Sequence, residues 1–377
     1  MRTVGFLLLV SCLLSSGRGR ALDAQTSIST EGTIESTAGG FKFPDGSVQL
    51  AAAVPPSNVL VVAKSGAPFD SIQEALDSIS DAGADNPYLV FVAPGIYTER
   101  VKMKPHVDVQ GAGMQTVVIS SPAAGTGSPT LKTAADAELR FLTVGSTASA
   151  GLDSVAVGCE SSGRLHRVAI EAETSSAGGS VSARGVYGFP CEELVLRGVE
   201  VTSSGSSRLN NGLFINDFPA GPPPSLSVFD SHFSVHGGTG GSNAVGIAAQ
   251  GSVTIANTSI TVQDGANSNT GFYLGSRPDS QVQLEGVTIL VGAATIGSGL
   301  GVSGQDHGTD SARIRIDRSS ISSPDDSILT RTGISVVVGA SMLDGSVETS
   351  FGGSVTCVAS YDSSYTALDS FCAAVTP

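Results

Sequence analysis

Apolar and polar residues alternate over most of this chain, in short runs of about five residues. Such alternation is typical of short, half-buried β-strands. One eight-residue pattern recurs, with the order apolar, any, apolar, two of any, Val/Ser/Thr, any, apolar. The full matches are LVLRGVEV (194–201), LSVFDSHF (226–233), VTIANTSI (253–260), VQLEGVTI (282–289), IRIDRSSI (314–321) and VVVGASML (336–343), and weaker matches start at Leu139 and Gly163.

Successive matches start 22 to 32 residues apart, and a second, looser unit precedes most of them. That unit reads RGVYGF from Arg184, NGLFIN from Asn211, VGIAAQ from Val245, TGFYLG from Thr270 and SGLGVS from Ser298. A period of this length with two or three short strands is typical of a solenoid, because such strands bury a face only when coils stack about 4.8 Å apart. The repeat predicts an all-β, right-handed parallel β-helix of about ten coils.

One segment has helical instead of strand periodicity. In FDSIQEALDSIS (69–80), apolar residues fall on one face, and Asp70 is a plausible N-cap. The predicted organisation has four parts. Residues 1–21 are a signal peptide and residues 22–56 form a polar segment with a short hairpin (FKFPDGSVQ) and an Ala/Pro linker. Residues 57–350 form the β-helix with this single amphipathic capping helix, and residues 351–377 form a C-terminal capping tail.

The first residues favour export. An early Arg, an apolar run over about residues 4–14 and then small residues are typical of a secretory signal peptide with cleavage after Ala21. In an alternative interpretation LVSC (9–12) is a lipoprotein box, which would leave a lipid anchor on Cys12. The rest of the sequence contains no run of about 20 apolar residues, so no membrane span is predicted. The protein is therefore expected to be secreted or at the cell surface.

Composition and charge limit the classes of partner that are expected. The chain has 34 acidic and 20 basic residues, a formal net charge of −14, 47 glycines and only 14% charged residues. Without a cluster of Lys and Arg, a nucleic-acid partner is not expected. No cofactor is expected, and the spacing of His and Cys predicts no metal site. The sequence makes no prediction of oligomeric state.

Four cysteines follow Cys12, an even number that permits two disulfides in an exported protein. Cys159 and Cys191 lie just before consecutive repeats, so stacked coils would bring them within disulfide range, although two buried free thiols remain an alternative. Cys357 and Cys372 are close together in the tail and are expected to form a disulfide that stabilises the C-terminal end.

The segments NVLVVAKSGAPFDSIQEALDSI and NPYLVFVAPGIYTERVKMKPHVDVQGAGMQTVVI resemble the N-terminal portion of the pectin methylesterase family, across residues 58–119. The resemblance implies a parallel β-helix and assigns Tyr97 and Glu99 to a structural opening motif. It also implies where catalysis would lie, on later strands that read QDTL and DFIFG in the family and carry its two catalytic Asp residues. Here the corresponding strands carry neither Asp, and only Arg277, in LGSRPDS, echoes the family's LGRPW turn.

The weak catalytic candidates are therefore Asp217, Asp153 and Arg277. Tyr187, Asn216, Asp217, Tyr273 and Arg277 could together form a shallow polar and aromatic groove that contacts sugar. The favoured hypothesis is an exported, non-catalytic β-helix protein that binds carbohydrate. The alternative is a divergent pectinesterase-like esterase, or a polysaccharide lyase or hydrolase, acting on a plant or matrix polysaccharide.

Overall fold

The computed structural model describes residues 41–42, 48–49, 58–122, 127–149, 151–175, 181–188, 190–215, 223–238, 242–308, 311–350 and 352–375. The predicted signal peptide, Cys12, Asn216 and Asp217 lie outside these residues. The chain divides into two units, Met1–Pro55 and Pro56–Pro377. In the first unit, Phe41–Lys42 pairs antiparallel with Val48–Gln49.

The second unit is a right-handed parallel β-helix, which confirms the predicted fold. Each coil passes through three parallel sheets, which we name A, B and C in the order in which the chain crosses them. Within each sheet, a strand pairs in parallel with the equivalent strands of the coils before and after it. In the described part of the chain, ten coils have a strand segment in all three sheets.

The strands fall into four groups. Sheet A contains Val59–Val62, Tyr88–Val92, Val107–Gly111, Glu193–Arg197, Ser225–Phe229, Ser252–Ala256, Gln281–Glu285, Ala312–Asp317, Ile334–Gly339 and Ser354–Val358. Sheet B contains Gly95–Thr98, Val117–Pro122, Glu200–Ser204, His232–His236, Ser259–Gln263, Thr288–Val291 and Tyr361–Asp362. Sheet C contains Val101–Lys102, Leu131–Lys132, Ser154–Cys159, Ser182–Gly188, Leu209–Ile215, Asn243–Ala249, Ser268–Leu274 and Gly299–Gly304. Glu138–Ala148 and Ser162–Thr174 run from sheet A into B, and Ser320–Thr330 and Met342–Thr349 run from B into C.

The recurring eight-residue pattern marks the corner between sheets A and B. Its first three positions lie on sheet A and its last position on sheet B, so that its apolar residues point inward from both. Stacking the coils turns these positions into continuous columns of buried side chains. One such column on sheet A is Leu194, Leu226, Val253, Val282, Ile314 and Val336, and one on sheet B is Val201, Phe233, Ile260, Ile289, Ile321 and Leu343.

The Val/Ser/Thr position of the pattern turns this corner. The residue before it has a left-handed backbone; examples are Asp230 (φ 52°) and Arg318 (φ 47°). Where the position carries a hydroxyl, it joins two coils: Ser319 Oγ donates to its own strand at Asp317 O (2.9 Å) and accepts from the N–H of Val287 in the preceding coil (3.1 Å). The same pair of contacts is made by Ser231, Thr258, Ser341 and Ser360. The hydroxyls thus pair buried backbone groups at a sharp bend.

On its inner face, sheet C has a column of residues without side chains. Each looser unit contributes a glycine to one stacked column, at its second position in the first four units and at its fourth position in SGLGVS. The column is Gly185, Gly212, Gly246, Gly271 and Gly301. A Cβ at Gly271 would lie 2.2 Å from Ile289 Cγ2 of sheet B and 2.7 Å from the carbonyl of Gly301. Sheet B thus packs directly against the backbone of sheet C at this column.

The helix spans Ile72–Ser78 and is shorter than the amphipathic segment predicted for residues 69–80. Ile72, Ala75 and Leu76 are buried, as the periodicity indicates. The N-cap is Ser71, whose side chain accepts from Glu74 N (3.3 Å), so the expectation of Asp70 as N-cap is wrong. Asp and Ser are both good N-cap residues. Ser71 is in addition held by a hydrogen bond from its Oγ to the Glu99 carboxylate.

Two disulfides join Cys159 to Cys191 and Cys357 to Cys372. The Cα atoms of the first pair are 5.4 Å apart, so stacking does bring Cys159 and Cys191 together, and they are not free thiols. Disulfides are typical of extracellular proteins. Among the described residues, no helix has the length and apolar character needed to cross a membrane.

Candidate functional site

Tyr97 lies inside the first coils. Its side chain is fully buried, and its hydroxyl donates to Ala93 O at 2.9 Å. Burial, with a smaller contribution from the Glu99 carboxylate, raises the pKa of the Tyr97 phenol. A buried, protonated phenol that is engaged with the backbone is a packing element and is not available to a substrate.

Glu99 caps the helix. Its carboxylate accepts from Ser71 Oγ (2.7 Å), Ile72 N (2.9 Å) and Gln73 N (2.9 Å). An anion at a helix N-terminus is favourable because the first backbone N–H groups have no partner within the helix. Glu99 thus connects the opening coil to the helix, and Tyr97 packs inside that coil.

Asp153 lies at the start of sheet C and is largely buried. Its carboxylate accepts from Ser182 N (2.8 Å) and pairs with Arg184 Nη1 (3.3 Å), both on the next coil. The guanidinium of Arg184 in turn lies 4.9 Å from the centre of the Tyr187 ring. The carboxylate is therefore already engaged in joining two coils, and no second carboxylate pairs with it in the part of the chain that the structure describes.

Tyr187 and Tyr273 project from the outer face of sheet C in one row. The row runs Tyr187, Phe214, Ala248, Tyr273, and the first two rings stack with centroids 5.9 Å apart. Tyr187 and Tyr273 are three coil steps apart, about 14 Å at the usual spacing between strands. Burial raises the pKa of Tyr273, and the nearby charge of Arg331 opposes that shift. The two tyrosines do not contact each other.

The outer face of sheet C is largely covered. Ala248 is 5% exposed and Asn211, in the neighbouring row, is 1% exposed. Arg277 lies in the turn after Ser268–Leu274, where its carbonyl accepts from Ser280 Oγ at 2.8 Å. The structure thus places Tyr187, Tyr273 and Arg277 on one side of the β-helix, and the described residues Ala248 and Asn211 beside the tyrosine row are buried. Asn216 and Asp217, the other members of the predicted groove, lie outside the described residues.

An open groove lies instead on the outer face of sheet A. It has a volume of about 840 Å³ and follows five consecutive strands, from Ser252–Ala256 to Ser354–Val358. Its floor consists of outward side chains in two parallel rows. One row is Ser252, Gln281, Arg313, Ser335 and Ser354; the other is Thr254, Gln283, Arg315 and Val337.

This groove was not predicted from the sequence, although the residues that line it follow a visible pattern. In ARIRID (312–317) and QVQLE (281–285) the apolar residues that match the repeat alternate with Arg or Gln. The repeat identified the inward residues, and the residues between them necessarily point outward. The groove around these residues is also formed by neighbouring turns, which include Gly333 and Gly352.

A polar cluster lies on the outer face of sheet B. His236 lies between Ser234 Oγ, 3.1 Å from its Nε2, and Asp264 Oδ2, 3.2 Å from its Nδ1. This is the order of groups in a Ser–His–Asp triad. Gln263 Nε2 also lies 3.1 Å from Nδ1, and the Asp264 side chain is 65% exposed. Water screens so exposed a carboxylate, and we assign the cluster no role in catalysis.

His232, the other histidine on this strand, contacts Ser259 Oγ at 2.6 Å. Within the described ranges, no three or more His, Cys, Asp or Glu side chains are grouped so that they could hold a metal ion.

No family model matches this chain, and no curated protein matches it. Solved structures do match. Pectin methylesterase PemA from Erwinia chrysanthemi has a TM-score of 0.36 at 13% identity, covering 70% of this chain and 93% of that one. Pectin methylesterase from carrot has a TM-score of 0.36 at 11% identity, with coverage of 82% and 90%.

A third match is the A-module of the mannuronan C-5 epimerase AlgE6 from Azotobacter vinelandii, with a TM-score of 0.32, 15% identity and coverage of 78% and 94%. This chain is therefore similar to solved pectin methylesterases and to an epimerase module. With TM-scores this low, the parallel β-helix assignment rests on the strand pairing described above.

Proposed function

We propose that this chain is an exported, non-catalytic β-helix protein that binds a polysaccharide along the groove of sheet A. The observation that carries the proposal is the shape and lining of that groove. It is open to solvent, it follows the stacked strands, and its two rows carry hydroxyl, amide and guanidinium groups.

The lining suits sugar recognition. Sugars present closely spaced hydroxyls, which both donate and accept hydrogen bonds, and Ser, Thr and Gln side chains do the same. Gln281 and Gln283 lie at alternate positions of one strand with Val282 between them, so both side chains lie on the groove floor. Their Nε2 groups donate to Asp279 O at 3.4 Å and to Glu285 Oε2 at 3.2 Å. The five strands cover four coil steps, about 19 Å, which is long enough for a chain of several sugars.

The carboxylates support a binding role over a catalytic one. Hydrolysis or ester cleavage by a pair of carboxylates needs two that are near each other and free to exchange protons. Among the described candidates, Asp153 is engaged with Arg184 and a backbone N–H. The described residues that line the groove include no Asp, Glu or His.

The test is binding of the full chain to a polysaccharide panel, measured by affinity electrophoresis or calorimetry. In Gln281→Ala/Gln283→Ala we expect about thirtyfold weaker binding, since each of the two lost hydrogen bonds contributes about 1 kcal/mol. The matched control is Thr261→Ala/Thr288→Ala on the outer face of sheet B, outside the groove, which should bind as the unaltered chain does.

Two results would contradict the proposal. One is unchanged binding in the glutamine double variant. The other is turnover: release of methanol from esterified pectin, or of new reducing or unsaturated ends from any polymer in the panel, would show that the chain is an enzyme.

A further inference from the structure

Two arginines lie side by side on the groove floor. Arg313 and Arg315 occupy alternate positions of Ala312–Asp317, and both are exposed, because Ile314 and Ile316 point into the core. Alternate residues on one face of a strand are about 6.6 Å apart. The two guanidinium groups can therefore contact one ligand, or adjacent units of a polymer.

In the described part of the chain, no ion pair within 4 Å engages either arginine. Asp317, two positions beyond Arg315 on the same face, is instead paired with Arg318 at 3.8 Å. The coil before them contributes Gln281 and Gln283 to the same rows, and the coil after them contributes Ser335 and Val337. Three other arginines of sheet A and its corner are paired with carboxylates, and a fourth, Arg197, lies over the Phe229 ring. Arg140 contacts Asp108 at 3.0 Å, Arg164 contacts Glu193 at 3.9 Å and Arg318 contacts Glu285.

This arrangement is notable in an acidic protein. The chain has 34 acidic residues against 20 basic ones, yet the described residues that line the groove include two cations and no anion. A net charge of −14 repels polyanions at long range, so a local pair of free arginines is a specific feature and not part of a generally basic surface.

We propose that the groove selects a polysaccharide that carries oxyanion groups, either carboxylate or sulfate, and that Arg313 and Arg315 bind those groups. This inference rests on the proposed polysaccharide function of the same groove. The planar guanidinium presents paired N–H donors that match the two oxygens of either group. The hydroxyl and amide side chains on the neighbouring coils would hold the uncharged parts of the polymer.

The polymer would lie along the β-helix axis. In that direction it passes Ser252, Gln281, Arg313 and Ser335 at successive coil steps of about 4.8 Å. Contact with the arginines is confined to one coil, so one or two charged units contribute most of the selectivity.

The test compares three polymers with a common backbone: dextran, carboxymethyl-dextran and dextran sulfate. The full chain is expected to bind at least one charged form about tenfold or more tightly than dextran, since hydrogen bonds to charged groups are roughly twice as strong as neutral ones. Arg313→Gln/Arg315→Gln should reduce binding of the charged forms to the level of dextran. Comparing the two charged forms identifies the oxyanion.

Arg164→Gln is the matched control. Arg164 lies in the same outward row as Arg315, five coil steps away and outside the groove. This variant should keep the preference for charged polymers. Thermal unfolding of each variant checks that the β-helix is intact.

The outcomes separate the two proposals. If the chain binds no charged polymer more tightly than dextran, or if Arg164→Gln weakens binding as much as the double variant, the inference about oxyanions is wrong. Loss of neutral polysaccharide binding in Gln281→Ala/Gln283→Ala would still support the proposed function. Tight binding of single-stranded DNA that also depends on Arg313 and Arg315 would overturn selectivity for a polysaccharide.

Discussion

Sheets A and C belong to the same coils, yet their outer faces differ. On sheet A the outward side chains are exposed, and they line an open groove around Arg313 and Arg315. On sheet C the outward residues are largely buried, as the 1% exposure of Asn211 shows. The face that can meet a polymer in the described structure is therefore not the face on which the aromatic candidates lie.

The inner faces differ as well. Sheet A contributes Val, Leu and Ile, whose side chains fill the core, whereas sheet C combines such side chains, among them Leu213 and Phe272, with a column of glycines against which sheet B packs. Sheet A therefore depends on apolar volume, and the glycine column of sheet C depends on the absence of volume. Substitutions in the two sheets should accordingly have different effects.

The largest effect is expected from adding a methyl group in the glycine column. In Gly271→Ala the new Cβ would meet Ile289 Cγ2 at 2.2 Å and a backbone carbonyl at 2.7 Å, neither of which can move without shifting a neighbouring coil. Overpacking of a core costs about 1–3 kcal/mol, and we expect a loss of about 3 kcal/mol in the free energy of unfolding. Chemical denaturation followed by circular dichroism measures it.

Gly83→Ala provides the control, because a Cβ at Gly83 would have no atom within 4 Å. This variant should be neutral or slightly stabilising, since alanine reduces the entropy of the unfolded chain. Equal effects of the two substitutions would show that the glycine column is not required for packing.

The next effect concerns the ion pair that holds the outer face of sheet C. Asp153→Ala removes the partner of Arg184 and the acceptor of Ser182 N. Breaking a buried pair costs about 3–5 kcal/mol. We expect about 2 kcal/mol here, because the Arg184 side chain keeps 14% exposure. The measurement is again the free energy of unfolding.

A double-mutant cycle with Arg184→Met isolates the pair. If Asp153 joins the coils through Arg184, the double variant should lose less stability than the sum of the single variants. Strict additivity would mean that the carboxylate acts independently of the arginine.

Much of the fold could be predicted because its requirements are chemical and local. The eight-residue pattern located the corner between sheets A and B, since inward positions need apolar side chains and the corner accepts Val, Ser or Thr. The stacking of coils also brought Cys159 and Cys191 together. The looser unit was visible too, but its glycine was not interpreted, because its reason is a steric contact with sheet B.

The rest depended on contacts between distant residues. Asp70 and Ser71 are equally good N-caps by sequence, but the Glu99 carboxylate, a full coil later, bonds to Ser71 Oγ. The groove on sheet A was missed for a similar reason. Outward residues such as Gln283 carry no periodic signal of their own, and their exposure depends on turns from other coils.

The smallest effect is expected at the corner between sheets A and B, where the requirement is for a hydroxyl. In Ser319→Ala the N–H of Val287 loses its acceptor, and we expect a loss of about 1 kcal/mol in the free energy of unfolding. Ser319→Thr should retain most of the stability, because Thr258 occupies the same position in another coil and bonds in the same way. If threonine is as destabilising as alanine, small volume rather than hydrogen bonding is what this corner requires. The corner would then resemble the glycine column of sheet C, because both would require a small residue. The two parts of the coil would no longer differ in requiring a hydroxyl.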